Sequence, residues 1–156
     1  MPGESLHLTR TIPSRPENVW YVLTELDKFA GVVEDITKIE VLTNGAYGVG
    51  TRWRETRKMM GMEGSEEMEV VDNDPFRKTV VEAVNGDVTY RTVFELMPNE
   101  AGTVTTLSMD FSAKSPEQKG LKRVFTNTMG KLGMKMTSKA MTKDLEAIAA
   151  AAIARG

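Results

Sequence analysis

The sequence predicts an α+β fold in which a curved antiparallel sheet of about seven strands wraps around a long C-terminal helix. A short strand signal is followed by one helix signal, strand signals and turns fill the middle, and residues 116–155 form one long helical segment without β alternation. The sheet must bury the apolar face of this helix. Because a curved sheet and a single helix meet unevenly, we expect a hollow between them.

The first two elements are indicated near the N-terminus. Residues 5–12 alternate between apolar and polar side chains, which is typical of a half-buried strand. Ser14 followed by Glu17 matches a capping box, in which each side chain hydrogen-bonds the other residue's backbone. Pro16 suits a first helical turn. We therefore expect one strand and then one helix.

The middle of the chain predicts a meander of six further strands. Alternation and turn residues place these strands at residues 36–42, 51–59, about 66–70, 77–84, 87–97 and 103–111. Asn85-Gly86 is the strongest hairpin signal among the turns.

The turns also predict which residues face each other. A turn at residues 60–63 places Arg57 opposite Glu66, Glu55 opposite Met68 and Trp53 opposite Val70; a two-residue Asn85-Gly86 turn places Val81 opposite Tyr90; and a loop over residues 99–102 places Phe94 opposite Leu107 and Thr92 opposite Met109. In each hairpin the inward sets oppose each other, as a sheet with one buried face requires.

Composition excludes several classes of function. The 156 residues suit one domain spanning 1–156. The net charge of −2 gives no general attraction to nucleic acid. The chain has no Cys and one His, His7, on the polar face of the first strand. We therefore expect no disulfide, thiol nucleophile, metal site or histidine base.

Two further expectations concern cofactors and location. The glycines at positions 45, 48 and 50 lie between strands and do not open a helix, so no phosphate-binding loop and no cofactor is expected. The N-terminus lacks the pattern of a signal peptide, and no apolar run reaches the ~18 residues of a membrane span. A cytoplasmic protein, monomeric or homodimeric, is the expectation.

Local motifs resemble the START-like (SRPBCC) helix-grip superfamily. Residues 12–20 look like its first strand running into "P-x-x-V-W", and residues 49–55 look like its "V-G-T-R-x-R-E" strand start. Residues 67–77 look like its "E-V-x-x-x-D-P-P-R" turn, with Phe76 where a second Pro is common. The subgroup most similar is that of polyketide cyclase/dehydrase-like proteins. The superfamily includes lipid carriers, receptors, cyclases and chaperone cofactors, so the resemblance implies the fold more than the activity.

Three charged residues are the main candidates for a polar site. Glu55, Arg57 and Glu66 share the inward phase of the second hairpin, where an unpaired charge costs several kcal/mol. One interpretation is a polar end to an apolar pocket that orients a ligand carbonyl, hydroxyl or carboxylate. The alternative is a hydrated rim or a structural ion pair.

The remaining candidate ligand-binding residues share the inward phase of the sheet or the apolar face of the last helix. They are Trp53, Met68, Val81, Tyr90, Thr92, Phe94, Leu107, Met109, Phe111, Phe125, Met129 and Met136. The helical face continues through Ala140, Ala147 or Ile148, and Ala151.

The opposite face of the last helix is basic. Lys131, Lys135 and Lys139 recur every four residues. A solvated surface is the simpler interpretation, and a weak contact with an anionic surface is the alternative.

We therefore expect the chain to bind or transport a small hydrophobic molecule, a lipid or a polyketide-like compound, between sheet and helix. Two alternatives stay open. One is a cyclase or dehydratase in which Tyr90 and Arg57 polarise a carbonyl while Glu55 or Glu66 moves a proton. The other is a partner-binding module that uses the basic helix face and the methionine-rich hairpin tip at residues 59–62. The residues favour binding over catalysis.

Overall fold

The computed structural model of the chain describes residues 5–59, 61–114 and 130–156, with side chains except those of residues 59 and 130–136. This part of the chain contains seven strands and three helices. They are β1 (Ser5–Ile12), α1 (Pro16–Thr24), α2 (Leu26–Phe29), β2 (Ile36–Val41), β3 (Arg52–Met59), β4 (Met62–Asp74), β5 (Lys78–Asn85), β6 (Val88–Pro98), β7 (Thr105–Lys114) and α3 (Gly130–Arg155).

The strands form one antiparallel sheet in the order β1-β7-β6-β5-β4-β3-β2. Strands β2 to β7 are a meander, and β1 joins it at the β7 edge. The sheet is curved and is followed by the C-terminal helix, which confirms the predicted α+β helix-grip fold.

The register of the β3–β4 hairpin differs from the prediction. Pairing continues to the ends of both strands, so the connection is two residues shorter than the expected turn. Arg57 lies opposite Gly64 rather than Glu66, and Glu55 lies opposite Glu66 rather than Met68. Because the difference is an even number of residues, every side chain keeps its predicted face.

The next two hairpins are also offset by two residues. Gly86, not Asn85, begins the tight turn, and its φ of 66° is the left-handed conformation that glycine tolerates best. The β6–β7 loop is longer than expected, because the pair nearest the loop is Pro98 with Thr105 and residues 99–104 connect them. Val81 lies opposite Thr92 instead of Tyr90. Phe94 lies opposite Met109 instead of Leu107, and Thr92 lies opposite Phe111 instead of Met109.

Helices α1 and α3 pack together over one end of the sheet. The buried side chains that α1 contributes are Val19, Trp20, Val22 and Leu23, and those of α3 include Met141, Leu145, Ile148, Ala149 and Ala152. They join Ile12, Leu96, Leu107 and Met109 of the sheet in one hydrophobic cluster. This cluster fixes α3 against the concave face of the sheet.

The predicted capping box is not formed. Arg15 is the N-cap residue of α1, and no side chain caps the helix. The Ser14 hydroxyl instead donates a hydrogen bond to the Ala152 carbonyl (3.1 Å), and its oxygen accepts one from Asn18 Nδ2 (3.0 Å). Ser14 therefore joins the start of α1 to α3. Its buried hydroxyl bonds a carbonyl of α3 instead of capping α1.

Phe76 in the β4–β5 turn has a φ of 68°. Proline cannot adopt this conformation, because its ring holds φ near −65°. The turn of this chain therefore could not accept the second proline of the motif that it resembles.

The predicted long helix is described only over α3. Candidate residues Phe125 and Met129 lie outside the described residues, and so does the side chain of Met136. In the ranges that the structure covers, no helix is both long and apolar enough to cross a membrane.

Candidate ligand-binding site

A cavity of about 90 Å³ lies between the concave face of the sheet and the helices. Leu23, Leu26 and Phe29 of α1 and α2 close one side of it, and Asp144 and Ile148 of α3 close another. Strands β3 to β7 and Tyr47 of the connection between β2 and β3 supply the remaining described walls. The predicted hollow between sheet and C-terminal helix is therefore present in the fold.

Eight of the fifteen candidate residues line this cavity. They are Trp53, Glu55, Arg57, Met68, Val81, Thr92, Phe94 and Met109. Their shared inward phase was the sequence signal, and the structure brings them together from β3, β4, β5, β6 and β7.

Four other candidates lie elsewhere on the inner face. Leu107 is fully buried in the hydrophobic cluster, and Phe111 packs against that cluster. Tyr90 stacks on Phe111 with ring centroids 5.9 Å apart. Glu66 is half-buried and lies opposite Glu55 on the neighbouring strand.

The charged end of the cavity is organised around Arg57. Its Nε donates a hydrogen bond to Glu55 Oε2 (2.9 Å). Its Nη1 and Nη2 donate to the two carboxylate oxygens of Asp144 at 3.3 and 2.9 Å. The side chains of Glu55 and Asp144 are 7% and 8% exposed, whereas that of Arg57 is 28% exposed. The sheet and α3 are therefore joined by an ion-paired triad of Arg57, Glu55 and Asp144.

Asp144 was not among the sequence-predicted residues, and it replaces Glu66 as the cross-element partner of Arg57. The sequence did contain a pattern that indicates a role for Asp144. The apolar helical face runs through positions 136, 140 and 148, and position 144 completes this four-residue spacing with a carboxylate. An acidic residue in the apolar phase of a helix needs a buried partner, and Arg57 was one of the cations predicted to face inward, with Arg10 of the first strand.

The environment of the triad shifts several pKa values. Burial opposes the charge of Arg57, but the carboxylates of Asp144 and Glu55 outweigh it and raise its pKa. Burial raises the pKa of Asp144, and Arg57 offsets part of that effect. Burial and the Glu55 charge raise the pKa of Glu66. Burial and Glu66 raise the pKa of Tyr90. Asp144 and Glu66 therefore hold their protons more tightly than exposed carboxyl groups do.

A second polar pair was also missed. Tyr47, in the β2–β3 connection, lines the cavity, and its hydroxyl lies 2.7 Å from Thr79 Oγ1. Burial raises the pKa of Tyr47 to about 12, against the hydrogen bond with Thr79. The phenol therefore stays protonated at neutral pH. Loop residues carry no strand phase, so the sequence pattern gave no direction for this side chain.

The basic face of the last helix is described only in part. Lys139 is exposed, and the side chains of Lys131 and Lys135 lie outside the described residues. Contact with an anionic surface stays a prediction. Within the described residues, no group of three or more His, Asp or Glu side chains is placed to hold a metal ion.

Comparison with known proteins identifies the chain's relatives. The family model described as "polyketide cyclase / dehydrase and lipid transport" matches residues 4–152. A search of curated protein sequences gives no match.

Solved structures with the same fold have diverse functions. The Zhui aromatase/cyclase of Streptomyces sp. R1128 is 18% identical, with a TM-score of 0.76 over 97% of this chain and 94% of that one. A norcoclaurine synthase of Thalictrum flavum, in complex with dopamine and hydroxybenzaldehyde, is 12% identical, with a TM-score of 0.72 over 98% and 88%. A START superfamily protein of Mycobacterium smegmatis is 13% identical, with a TM-score of 0.68 over 98% and 97%. At these identities the likeness establishes the fold alone.

Proposed function

We propose that this chain, which belongs to the polyketide cyclase/dehydrase and lipid transport family, binds a small, mostly apolar molecule in the cavity between sheet and α3. The observation that carries the proposal is the cavity itself, with apolar walls and the ion-paired triad at one end. Small-molecule sites are typically concave and apolar, with a few polar groups that fix orientation.

The size of the cavity favours a compact ligand. Its volume is about 90 Å³, and a dry apolar cavity of about 150 Å³ in another protein takes up benzene. Because this cavity is the smaller of the two, the proposed occupant is no larger than about one aromatic ring with a short side chain. A long acyl chain needs more space, so we propose binding of a small molecule rather than bulk lipid transport.

Methionine methyl groups allow a direct test. Met68 and Met109 line the cavity, whereas Met62 and Met97 are 78% and 69% exposed. Protein labelled with ¹³C at the methionine methyls is titrated with a set of one-ring compounds and followed by NMR. We expect saturable shifts at Met68 and Met109 and none at Met62 and Met97. If no compound of the set shifts the methyl signals of Met68 and Met109, the proposal is contradicted.

A second candidate function is a cyclase or dehydratase reaction, favoured by the raised pKa of Glu66 beside Glu55 and Tyr90. A carboxyl group whose pKa is raised above its ordinary value is a candidate general acid or base. The similarity to an aromatase/cyclase structure supports the same direction. The three donors of Arg57 that contact carboxylates are not available to polarise a carbonyl.

This candidate is tested with a poly-β-ketoacyl thioester. In the reaction, a carbon–carbon bond forms between an enol carbon and a ketone within the chain, and water leaves. Mass spectrometry detects the loss of one water, and we expect Glu66→Gln to slow it at least tenfold while the exposed control Glu63→Gln does not. An unchanged rate in Glu66→Gln excludes this role for Glu66.

A further inference from the structure

We infer that the charged end of the proposed ligand cavity recognises a hydrogen-bond donor, above all a protonated amine, and disfavours a carboxylate. This inference rests on the proposed function and names the ligand class of the same site. It follows from counting which hydrogen-bonding groups at the triad are already used.

The donors at the triad are directed at its own carboxylates. Arg57 directs three of its five N–H donors, one each on Nε, Nη1 and Nη2, at Glu55 and Asp144. The indole Nε1 of Trp53 is directed at Glu55 Oε1, at 3.5 Å. A ligand carboxylate would find only the two remaining N–H groups of Arg57, and it would lie beside the buried carboxylates of Glu55 and Asp144, which repel it.

The acceptors, in contrast, have capacity left. An ionised carboxylate offers about four lone-pair sites. Each oxygen of Asp144 accepts one hydrogen bond from Arg57, and Glu55 accepts one from Arg57 and a long one from Trp53. A ligand N–H or O–H that enters the cavity therefore meets unused acceptor positions.

Charge leads to the same conclusion. One guanidinium faces two nearly buried carboxylates, and Glu66 adds a third carboxyl opposite Glu55. With all groups ionised, the buried end carries excess negative charge, which is costly in an apolar cavity. A cationic ligand offsets this excess, whereas an anionic ligand increases it.

The hydroxyl groups of the cavity do not reverse this preference. Tyr47 and Thr79 are hydrogen-bonded to each other, and Thr92 of β6 also lines the cavity. Hydroxyls both donate and accept, so they can serve a neutral polar group. They carry no charge with which to bind an anion.

A matched ligand series tests the inference. The probes are 2-phenylethylamine, 2-phenylethanol and phenylacetate, which share one ring and a two-carbon chain. Dissociation constants are measured at pH 7 by calorimetry and by the Met68 and Met109 methyl shifts. We expect the amine to bind at least tenfold more tightly than the alcohol, and the carboxylate to bind at least tenfold more weakly than the alcohol.

Variants assign the preference to the triad. In Asp144→Asn and Glu55→Gln, the ratio of amine to alcohol affinity should fall at least fivefold. It should stay unchanged in Glu67→Gln, which changes an exposed carboxylate on β4. If the triad variants do not fold, the ratio in the unmodified protein decides alone.

The outcomes separate the two proposals. If none of the three probes, and no other one-ring compound, moves the cavity methyls, the proposed function fails and the inference fails with it. If phenylacetate binds as tightly as the amine, the inference is wrong while the proposed function stands. An amine preference that persists in both triad variants also overturns the inference.

Discussion

At the scale of single residues, Arg57 has the most consequences. It holds Glu55 on its own strand and Asp144 on α3, and both carboxylates are nearly buried. Removing one partner of a buried ion pair leaves an uncompensated charge, which typically destabilises a protein by about 3–5 kcal/mol. The triad therefore affects the stability of the fold as well as the polarity of the cavity.

Replacing Arg57 tests this directly. We expect Arg57→Met to lower the free energy of unfolding by about 3 kcal/mol or more at pH 7, because Glu55 and Asp144 lose their cation. The control Arg52→Met, on the same strand, removes exposed pairs with Glu67 and Glu69 and should cost less than about 1 kcal/mol. Urea unfolding measures both, and equal losses would show that the triad is not a special contact.

Glu66 gives a prediction about pH. Its pKa is raised in the folded state, so the native protein binds the proton more tightly than the unfolded chain. Stability from this group is present below its ordinary pKa and is lost as pH rises through the folded value.

Glu66→Gln should therefore be more stable than the unmodified protein at pH 8, by less than about 1 kcal/mol because solvent screens a half-exposed group. The difference should shrink toward pH 4. Urea unfolding across this range checks it, with Glu63→Gln as an exposed control. A variant less stable than the unmodified protein at pH 8 would mean that the Glu66 carboxylate is stabilising when ionised.

The sequence predicted the inward direction of Glu55 and Arg57 but not their partners. Strand phase assigns a face from periodicity alone. The partner of Arg57 depends on which helix position lies above β3, and this is set by how α3 packs. Asp144 could therefore be suspected from its apolar phase, but its pairing with Arg57 could not be derived from local pattern.

At the scale of elements, the hairpins show what periodicity can and cannot determine. The register of all three differed by two residues, yet every inward residue stayed inward. Side chains alternate with period two, so an even offset preserves the buried face and only an odd offset would be rejected by the pattern. The turn sets the absolute register. The dipeptide Asn85-Gly86 predicted a turn, but it did not show that the left-handed Gly86 would be the first of the two turn residues rather than the second.

Two isoleucines on α3 test the orientation of this helix. Ile148 is 1% exposed, whereas Ile153 is 46% exposed. We expect Ile148→Ala to destabilise the protein by about 2–5 kcal/mol, because buried methyl and methylene groups are lost. Ile153→Ala should change stability by less than about 1 kcal/mol. Thermal unfolding compares them, and a similar loss from both would contradict the packing of α3 on the sheet.

Two valines on β5 test the cavity. Val81 lines it, and Val84, three residues further along the strand, is 65% exposed. We expect Val81→Phe to fill the space and weaken binding of one-ring compounds at least tenfold. Val84→Phe should leave binding unchanged. Calorimetric titration measures both, and undiminished binding by a folded Val81→Phe protein would place the ligand elsewhere.

At the scale of the whole molecule, the order of elements determines the fold. A strand, a helix, a six-stranded meander and a long last helix leave few compact arrangements, and the chain adopts the one expected. Function is not determined in this way, because one fold supports carriers and enzymes alike. The information on function lies in the side chains that the fold collects around the cavity, and above all in the charge balance of the triad.

The most direct measurement is a crystal structure of the protein soaked with 2-phenylethylamine. We expect the ring between the sheet and α3, in contact with Met68 and Met109, and the ammonium within hydrogen-bond distance of Glu55 or Asp144. A cavity that holds only water or is filled by side chains, with the amine bound elsewhere or not at all, would contradict this expectation.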